Sequence, residues 1–386
     1  MQKDINLKTI MKHFASSTGL SDLSREPRRY LWTDSFAVCN YLELYRQTGT
    51  HEFLELALRL VTQVHQILGK HRNDSPLSGW LSGLNEEEAQ QHPTQGGLRI
   101  GKKLNERQAN EPVDESLEWD QDGQYFHYLT KWMYALNCVS RVTNNSIYNR
   151  WAIELAKVAY NAFTYTPLTG GTKRMYWKMS IDLSCPLVTS MGHHDPLDGL
   201  ITFQQLEATT RHFSSKISLQ TEIESMVTMC KEKDWATEDA LGIGGLLTDA
   251  YKLIQLIDTH HLQERDRLES LLEDIEYSLQ TFVTHNQLHL SAEYRLAFRE
   301  LGLSIGLHTI SKMQNQIEKH PNHFNNADQL TSILSRLSRF YPISKLIDDF
   351  WSDPQHRLAH SWLDHEDINT VMLATSLAPE SYLSCG

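Results

Sequence analysis

Apolar residues recur at intervals of three and four positions along most of the chain. One example begins at Leu54 and continues through Leu58, Val61, Val64 and Leu68. This spacing places the apolar side chains on one face of an α-helix. Stretches that alternate between apolar and polar residues are short and lie mostly in loop-like segments. The pattern therefore predicts an all-α chain.

Two segments carry the same turn signal between two such helices. They read "RQTGTHEFLELA" (46–57) and "RVTNNSIYNRWA" (141–152), and in each an Arg-x-Thr sequence is followed by Gly49 or Asn144. Glycine and asparagine suit the left-handed conformation that commonly ends a helix. Each segment therefore predicts an antiparallel pair of helices.

Further copies of this unit follow along the chain. Six segments begin with acidic or aromatic residues and continue with apolar bodies, which predicts inner helices. They start near Trp32, Trp119, His193, Thr237, Ala292 and His365. Their outer partners are predicted near 51–68, 145–163, 216–232, 263–283 and 328–348. An N-terminal helix near 3–14 is expected to pair with the last inner helix and to close a ring of twelve helices.

Small residues favour this closed ring over an open solenoid of helix pairs, which is the main alternative. Such residues let inner helices approach one another closely; they are Gly242, Gly244, Gly245, Ala297 and Gly302. Two connections, 69–118 and 164–192, are too long to be simple links. Long ordered loops commonly form lids or binding loops, so we expect both to lie over a pocket at the starts of the inner helices.

This arrangement resembles the (α/α)6 toroids of the six-hairpin glycosidase-like superfamily, which includes glycoside hydrolases and N-acylglucosamine 2-epimerase-like proteins. Local similarities are the Trp-x-Asp at Trp32 and Asp34 and the His-Asp at His194 and Asp195, although Pro196 replaces the usual glycine-aromatic context. The resemblance implies an all-α (α/α)6 toroid with residues 1–386 as a single domain. Because this fold supports several chemistries, it does not by itself define the reaction.

The stretch "EWDQDGQYFHYLTKW" (118–132) places several acids before an aromatic helix. One acid at a helix start is explained by capping and by the helix dipole, but several acids are not. Hydrolysis of a glycoside requires two carboxylates on either side of one bond. The leading hypothesis is therefore a glycoside hydrolase-like enzyme, and its candidate catalytic acids are Asp120, Asp122, Glu238 and Glu366.

Histidines support a second hypothesis. In the sugar epimerases a histidine of a late inner helix is one of the acid/base residues, and the resemblance places His365 in that position. With His194 it would form a two-base pair that moves a proton beside a carbonyl. A toroid that binds a ligand or a protein without catalysis is the third hypothesis, since no catalytic motif of a family is complete.

Tryptophans and acids near the predicted rim suit a sugar, because indoles stack on the C–H faces of sugars and carboxylates bind their hydroxyls. A basic side chain could bind an acidic group of the ligand. The candidate substrate-binding residues are Trp32, Asp34, Trp119, Tyr125, His127, Trp177, Lys178, Asp195, Asp239 and Arg295.

Composition restricts the possible partners and the location. The 386 residues carry a formal net charge of −12 and form no basic run, which argues against nucleic acid. No apolar run is long enough for a membrane span and the N-terminus lacks a signal-peptide core, so we expect a cytoplasmic protein without a membrane partner. The five scattered cysteines are expected to be reduced thiols, and their spacing matches no metal motif. We therefore expect no metal and no cofactor, while the oligomeric state stays open.

Overall fold

The computed structural model describes residues 6–22, 24–107, 111–112, 114–190, 192–214, 217–260, 265–285 and 287–384. Contacts within the chain divide it into two compact units. We refer to residues 15–231 as the N-terminal unit, and to residues 232–384 together with those up to Phe14 as the C-terminal unit. The single domain of 1–386 stays a prediction.

Helices form almost all of the regular structure. After α1 (Leu7–Ser17), the N-terminal unit contains α2 (Leu31–Thr48), α3 (His51–Leu68), α4 (Glu86–Gln91), α5 (Glu115–Glu118), α6 (Phe126–Thr143), α7 (Ser146–Phe163), α8 (Asp195–His212) and α9 (Gln220–Met229). The C-terminal unit contains α10 (Ala240–His260), α11 (Arg265–His285), α12 (Ala297–Leu307), α13 (Thr309–Lys319), α14 (Ala327–Leu337), α15 (Pro342–Ser352), α16 (His360–Leu363), α17 (Glu366–Leu377) and α18 (Glu380–Leu383). The prediction of an all-α chain is confirmed.

Five short strands of the N-terminal unit lie directly before α6 and in the second long connection. They are β1 (Gln124–Tyr125), β2 (Thr164–Tyr165), β3 (Arg174–Met175), β4 (Lys178–Met179) and β5 (Pro186–Val188). Strands β1, β4 and β5 form one antiparallel sheet in that order, and β2 pairs with β3. The β1–β4 pairing joins the second long connection to the entrance of α6, which positions the residues described below.

The two predicted turns end helices as expected. Gly49 follows α2 with a φ of 64°, and Asn144 follows α6 with a φ of 50°, both in the left-handed region. In each case the cap N–H donates to a carbonyl of the last helical turn. The chain reverses there, so that α2 packs against α3 and α6 packs against α7.

Several predicted boundaries differ from the structure. The inner helix expected near Trp119 begins at Phe126, and the one expected near Ala292 begins at Ala297 after a 3-10 turn. The outer segment 328–348 forms two helices, because Pro342 lacks the N–H needed to continue α14 into α15. The sequence pattern also missed α13, which follows α12 with a single residue between them.

The expectation that the cysteines are reduced thiols holds for some of them and not for all. Cys39 and Cys230 are buried free thiols, and Cys185 is an exposed one. Cys138 forms a disulfide bond, so the expectation of a reduced thiol is wrong for this residue. The spacing of cysteines along the chain does not show which of them meet in the fold.

Helix α10 is long and apolar enough to cross a membrane by length and composition alone. However, 78% of its most apolar window is buried inside the protein. A helix surrounded by other helices passes the same test as a membrane span, so its apolar character is explained by core packing.

Glycine is required where α10 meets α12. A Cβ on Gly244 would lie 2.1 Å from the carbonyl oxygen of Gly302, whereas a Cβ on Gly245 would have no neighbour within 4 Å. We expect Gly244→Ala to lower the free energy of unfolding by about 1–3 kcal/mol, because the helix backbones must move apart. Gly245→Ala should instead raise it by up to about 1 kcal/mol, because alanine favours a helix interior. Urea denaturation of both variants tests this, and equal effects would contradict the close approach.

Candidate functional site

Aromatic side chains from several segments of the N-terminal unit meet at the start of α6. The rings of Tyr125 and His127 stack with 5.3 Å between their centroids, and those of His127 and Trp177 stack at 6.4 Å. Trp32 of α2 lies edge-on to His127 at 6.1 Å, and Trp119 lies edge-on to Trp177 at 4.9 Å. We refer to these five residues as the aromatic cluster. All five are among the substrate-binding residues predicted from the sequence.

Three polar atoms of the aromatic cluster are buried and have no hydrogen-bond partner within the described part of the chain. They are Tyr125 Oη, Trp32 Nε1 and His127 Nδ1. Tyr125 and Trp32 are only 2% and 7% exposed. A buried polar atom that has lost its water typically destabilises the fold by roughly 1–3 kcal/mol unless it finds a partner. The hydrogen-bonding capacity of these three atoms is therefore unused within the described part of the chain.

A carboxylate lies next to the imidazole of the cluster. Asp195, the first residue of α8, has Oδ1 at 3.7 Å from His127 Nδ1, a contact too long for a direct hydrogen bond. Burial, assisted by the positive charge of Lys131, lowers the pKa of His127 to about 4. The imidazole is therefore neutral near pH 7 and can accept a proton.

His194 is the residue that precedes α8, which makes it the N-cap instead of Asp195. Asp195 is the first residue of the helix, and Pro196 lies in its first turn. The His194 ring lies 4.7 Å from that of the exposed His193. His194 and His365 belong to different units, and their pairing stays a prediction.

Asp122 is fully buried, and both of its carboxylate oxygens are engaged. Oδ2 accepts hydrogen bonds from Arg72 at 3.1 Å and from Arg99 at 2.9 Å. Oδ1 accepts from the backbone N–H groups of Gly101 at 2.9 Å and of Gly123 at 3.1 Å. These contacts tie the first long connection to the entrance of α6. They favour a structural role over the predicted catalytic one, and they explain why Asp122 does not begin a helix.

Lys178 is also fully buried and fully engaged. Its ammonium group donates to Glu118 Oε1 at 2.8 Å, to the Glu118 carbonyl at 2.8 Å and to the Gln121 carbonyl at 3.0 Å. These acceptors use all three of its N–H groups. The ammonium lies 5.5 Å from the centre of the Tyr125 ring, so Lys178 contacts the aromatic cluster. Its N–H groups are already used within the protein, which favours a structural role over the predicted ligand contact.

Asp120 differs from Asp122 in being exposed to solvent. It lies in the turn after α5, between the half-exposed Trp119 and the buried Gln121. Burial lowers the pKa of Lys102, and the negative charge of Asp120 opposes this shift in part. Of the predicted catalytic acids in the N-terminal unit, Asp120 is the one that remains accessible to a substrate.

Asp34 of α2 is buried with two partners. Its Oδ1 lies 3.3 Å from Arg29 Nη1, and its Oδ2 accepts a hydrogen bond of 2.9 Å from the backbone N–H of Tyr30. Both contacts fix the chain that leads into α2. They favour a structural role over the predicted sugar contact.

Two predicted acids at the start of α10 are surface groups. Glu238 has a 72% exposed side chain and lies 3.8 Å from His285 Nδ1. Asp239 forms an ion pair with Arg299 through Oδ1. Its Oδ2 accepts a hydrogen bond of 2.9 Å from the backbone N–H of Gly242. Asp239 therefore caps the first turn of α10.

The remaining predicted residues of the C-terminal unit lie before α12 and at the start of α17. Arg295 is buried and donates from Nε to Glu300 Oε1 at 2.9 Å, which favours a structural role over the predicted ligand contact. His365 and Glu366 are exposed, and the His365 ring lies edge-on to Phe298 at 5.5 Å.

Two tyrosines that were not among the predicted site residues belong to the surroundings of the cluster. The hydroxyl groups of Tyr30 and Tyr128 lie 2.6 Å apart, and the Tyr128 ring lies 4.9 Å from His127 and 5.3 Å from Trp32. The helical spacing of Tyr128 indicates a core position, which hides its contact with the cluster. Tyr30 has a weak signal, because it is an aromatic residue two positions before Trp32.

Comparison with known proteins shows the fold. The solved structure of a selenomethionine derivative of the GH76 alpha-mannanase of Bacteroides thetaiotaomicron has a TM-score of 0.54 and 10% identity, covering 98% of this chain and 96% of that chain. No family model matches the chain, and no curated protein matches its sequence. The chain has the (α/α)6 toroid fold, which confirms the fold class predicted from the sequence.

Two cellobiose 2-epimerases are also similar to this chain. That of Spirochaeta thermophila has a TM-score of 0.48 and 13% identity and covers 96% of this chain and 97% of its own. That of Bacillus thermoamylovorans has a TM-score of 0.48 and 11% identity, with coverage of 87% and 86%.

Proposed function

We propose that the protein is a carbohydrate-active enzyme that holds a sugar ring against the aromatic cluster. The observation that carries this proposal is the combination of stacked rings with buried polar atoms that lack partners. A sugar has flat C–H faces that stack on aromatic rings and hydroxyl groups that can donate to or accept from Tyr125, Trp32 and His127. The mannanase with a similar structure acts on a carbohydrate, which supports the same class of ligand.

Tyr125→Phe tests the binding site. We expect it to weaken sugar binding about tenfold, which is about 1.4 kcal/mol, because the hydroxyl that would bind the ligand is removed. The free energy of unfolding should stay unchanged or rise slightly, because a buried hydroxyl without a partner is also removed. Calorimetric titration with a panel of mono- and oligosaccharides, together with urea denaturation, measures both quantities.

Tyr165→Phe is the matched control for this test. The Tyr165 ring stacks on Tyr176 at 4.3 Å and makes no ring contact with the aromatic cluster in the described part of the chain, so its hydroxyl should not affect sugar binding. If Tyr125→Phe binds each sugar like the wild type and loses stability, the cluster is an ordinary part of the core and the proposal fails.

Glycoside hydrolysis is the first reaction that we propose for this site. Asp120 is our carboxylate candidate next to the aromatic cluster, because Asp122 is held by two arginines. Glu238 and Glu366, the predicted catalytic acids of the C-terminal unit, are both exposed. Asp120→Asn should lower kcat/KM on the cleaved glycoside by about 100- to 10,000-fold, measured by release of reducing ends. Unchanged turnover would remove Asp120 from the mechanism.

Epimerisation or isomerisation of a sugar is the second candidate, and the contact between His127 and Asp195 favours it. A neutral imidazole next to a carboxylate can take a proton from the carbon beside a carbonyl. Such an enzyme incorporates solvent deuterium into the sugar, and His127→Gln should abolish this while Asp120→Asn does not. If a sugar binds and neither its hydrolysis nor its epimerisation or isomerisation is detected, the protein is better described as a toroid that binds a ligand without catalysis.

A further inference from the structure

A carboxylate and two imidazoles meet in the C-terminal unit, apart from the residues discussed above. Asp258 lies near the end of α10, His320 directly follows α13, and His323 ends the next 3-10 turn, Pro321–His323. His320 Nδ1 lies 2.8 Å from Asp258 Oδ1, and His323 Nδ1 lies 2.6 Å from the same oxygen. Two histidines therefore direct the same ring atom at one carboxylate oxygen.

Hydrogen bonding accounts for this arrangement only if both imidazoles are donors to Asp258. An ionised carboxylate only accepts hydrogen bonds, so both imidazoles must carry their proton on Nδ1 and share a single oxygen of Asp258. The other oxygen, Oδ2, accepts from the amide of Gln316 at 3.0 Å and lies 3.0 Å from His320 Nδ1. Gln316 thus fixes the orientation of the carboxylate, as residues around metal ligands commonly do.

The distances suit a small divalent cation. The three ligand atoms lie within 4.8 Å of one another. Zinc binds imidazole nitrogen and carboxylate oxygen at about 2.0–2.2 Å, so its tetrahedral ligands lie about 3.3–3.5 Å apart. The observed contacts between imidazole and carboxylate, 2.8 and 2.6 Å, need to open by about 0.5–0.9 Å to admit the ion. The side chains of His320 and His323 are each 37% exposed, which leaves a path from solvent.

We propose that Asp258, His320 and His323 form a binding site for a divalent transition-metal ion of the zinc type, with water as the fourth ligand. On binding, each neutral imidazole moves its proton from Nδ1 to Nε2 and offers the Nδ1 lone pair to the metal. No net proton is released, and the carboxylate replaces two shared hydrogen bonds by one metal bond. The ion would tie the end of α10 to the segment after α13 and stabilise the C-terminal unit.

Zinc titration of the full chain tests this site. The protein is prepared without a polyhistidine tag, stripped with EDTA and titrated with zinc chloride in a calorimeter. We expect one tight equivalent per chain and a rise in Tm when zinc is present. In metal sites generally, replacing a residue that only hydrogen-bonds to a ligand weakens metal binding by about 10- to 100-fold. Replacing a ligand itself should therefore weaken zinc binding here by at least about 100-fold. The variants are Asp258→Asn, His320→Gln and His323→Gln.

His285→Gln is the matched control, because His285 is a half-exposed histidine of the same unit that lies near Glu238 and away from Asp258. It should bind zinc like the wild type. The proposal is overturned if the wild type binds zinc no more tightly than His320→Gln, or if all three ligand variants keep the tight equivalent. Should a variant fail to fold, the visible absorption of cobalt(II) bound to the wild type decides. A tetrahedral spectrum supports the site, and an aqueous, octahedral one contradicts it.

Discussion

Replacing Asp122 by alanine is expected to lower the free energy of unfolding by about 3–5 kcal/mol, because the largely buried guanidinium group of Arg99 loses its carboxylate partner and that of Arg72 keeps only the exposed Asp74. Arg72 and Arg99 are each only 12% exposed in their side chains, so water cannot replace the carboxylate. The backbone N–H groups of Gly101 and Gly123 lose their acceptor at the same time. Urea denaturation, followed by circular dichroism, measures the change.

Asp120→Ala is the matched control, because it removes the same side chain two positions earlier in the same turn. Asp120 is exposed, and we expect its removal to change the free energy of unfolding by no more than about 0.5 kcal/mol. Equal effects of the two variants would show that the contacts of Asp122 do not hold the turn. A loss of activity in Asp122→Ala is therefore no evidence of catalysis unless the variant is shown to be folded.

The pH dependence of stability is the second large expected effect, and His65 causes it. Its ring in α3 is 3% exposed, its Nε2 accepts a hydrogen bond of 3.1 Å from Trp132 Nε1, and burial lowers its pKa from 6.5 to about 3. Between these two values the unfolded chain binds a proton that the folded chain does not. The stability contributed by neutral His65 is therefore complete above pH 6.5 and decreases as the pH falls, by about 1.4 kcal/mol per pH unit.

Urea denaturation between about pH 5 and 7 measures this slope with little contribution from carboxylates. His65→Gln keeps an acceptor for Trp132 but cannot take up a proton, so its slope should be smaller by about 1.4 kcal/mol per pH unit below pH 6.5. The pKa of His127 is lowered in the same direction and leaves a residual slope in this variant. If both proteins show the same slope, His65 is not the buried neutral group.

Most of the fold was predictable from local pattern. The bounds of α3 match the predicted segment 51–68, and Gly49 and Asn144 end their helices in the predicted conformation. These features depend on neighbours within a few positions, which the sequence shows directly. The start of α6 was not predictable in the same way. Asp122 accepts a hydrogen bond from the backbone N–H of Gly101, 21 positions away, and does not cap the helix that follows.

The candidate site was predicted less well than the fold. The structure brings together Trp32, Trp119, Tyr125, His127 and Trp177, which the sequence named as substrate-binding candidates, and their role in binding stays a prediction. The sequence did not predict which charged residues are exposed and which are buried and paired. An acid near a helix start can be exposed, as Asp120 is, or it can be paired and buried, as Asp122 is, and only its distant partners decide between the two.

By itself, the sequence determined the helical periodicity, the turns between paired helices and the stretch that contributes most of the aromatic rings, because these depend on residue type and short spacing. The tertiary structure decided which charges are paired, because a partner such as Arg72 for Asp122 or Glu118 for Lys178 lies in a separate segment of the chain. It also decided that Asp258 meets His320 and His323, since residues about sixty positions apart become neighbours only when α10 packs against α13.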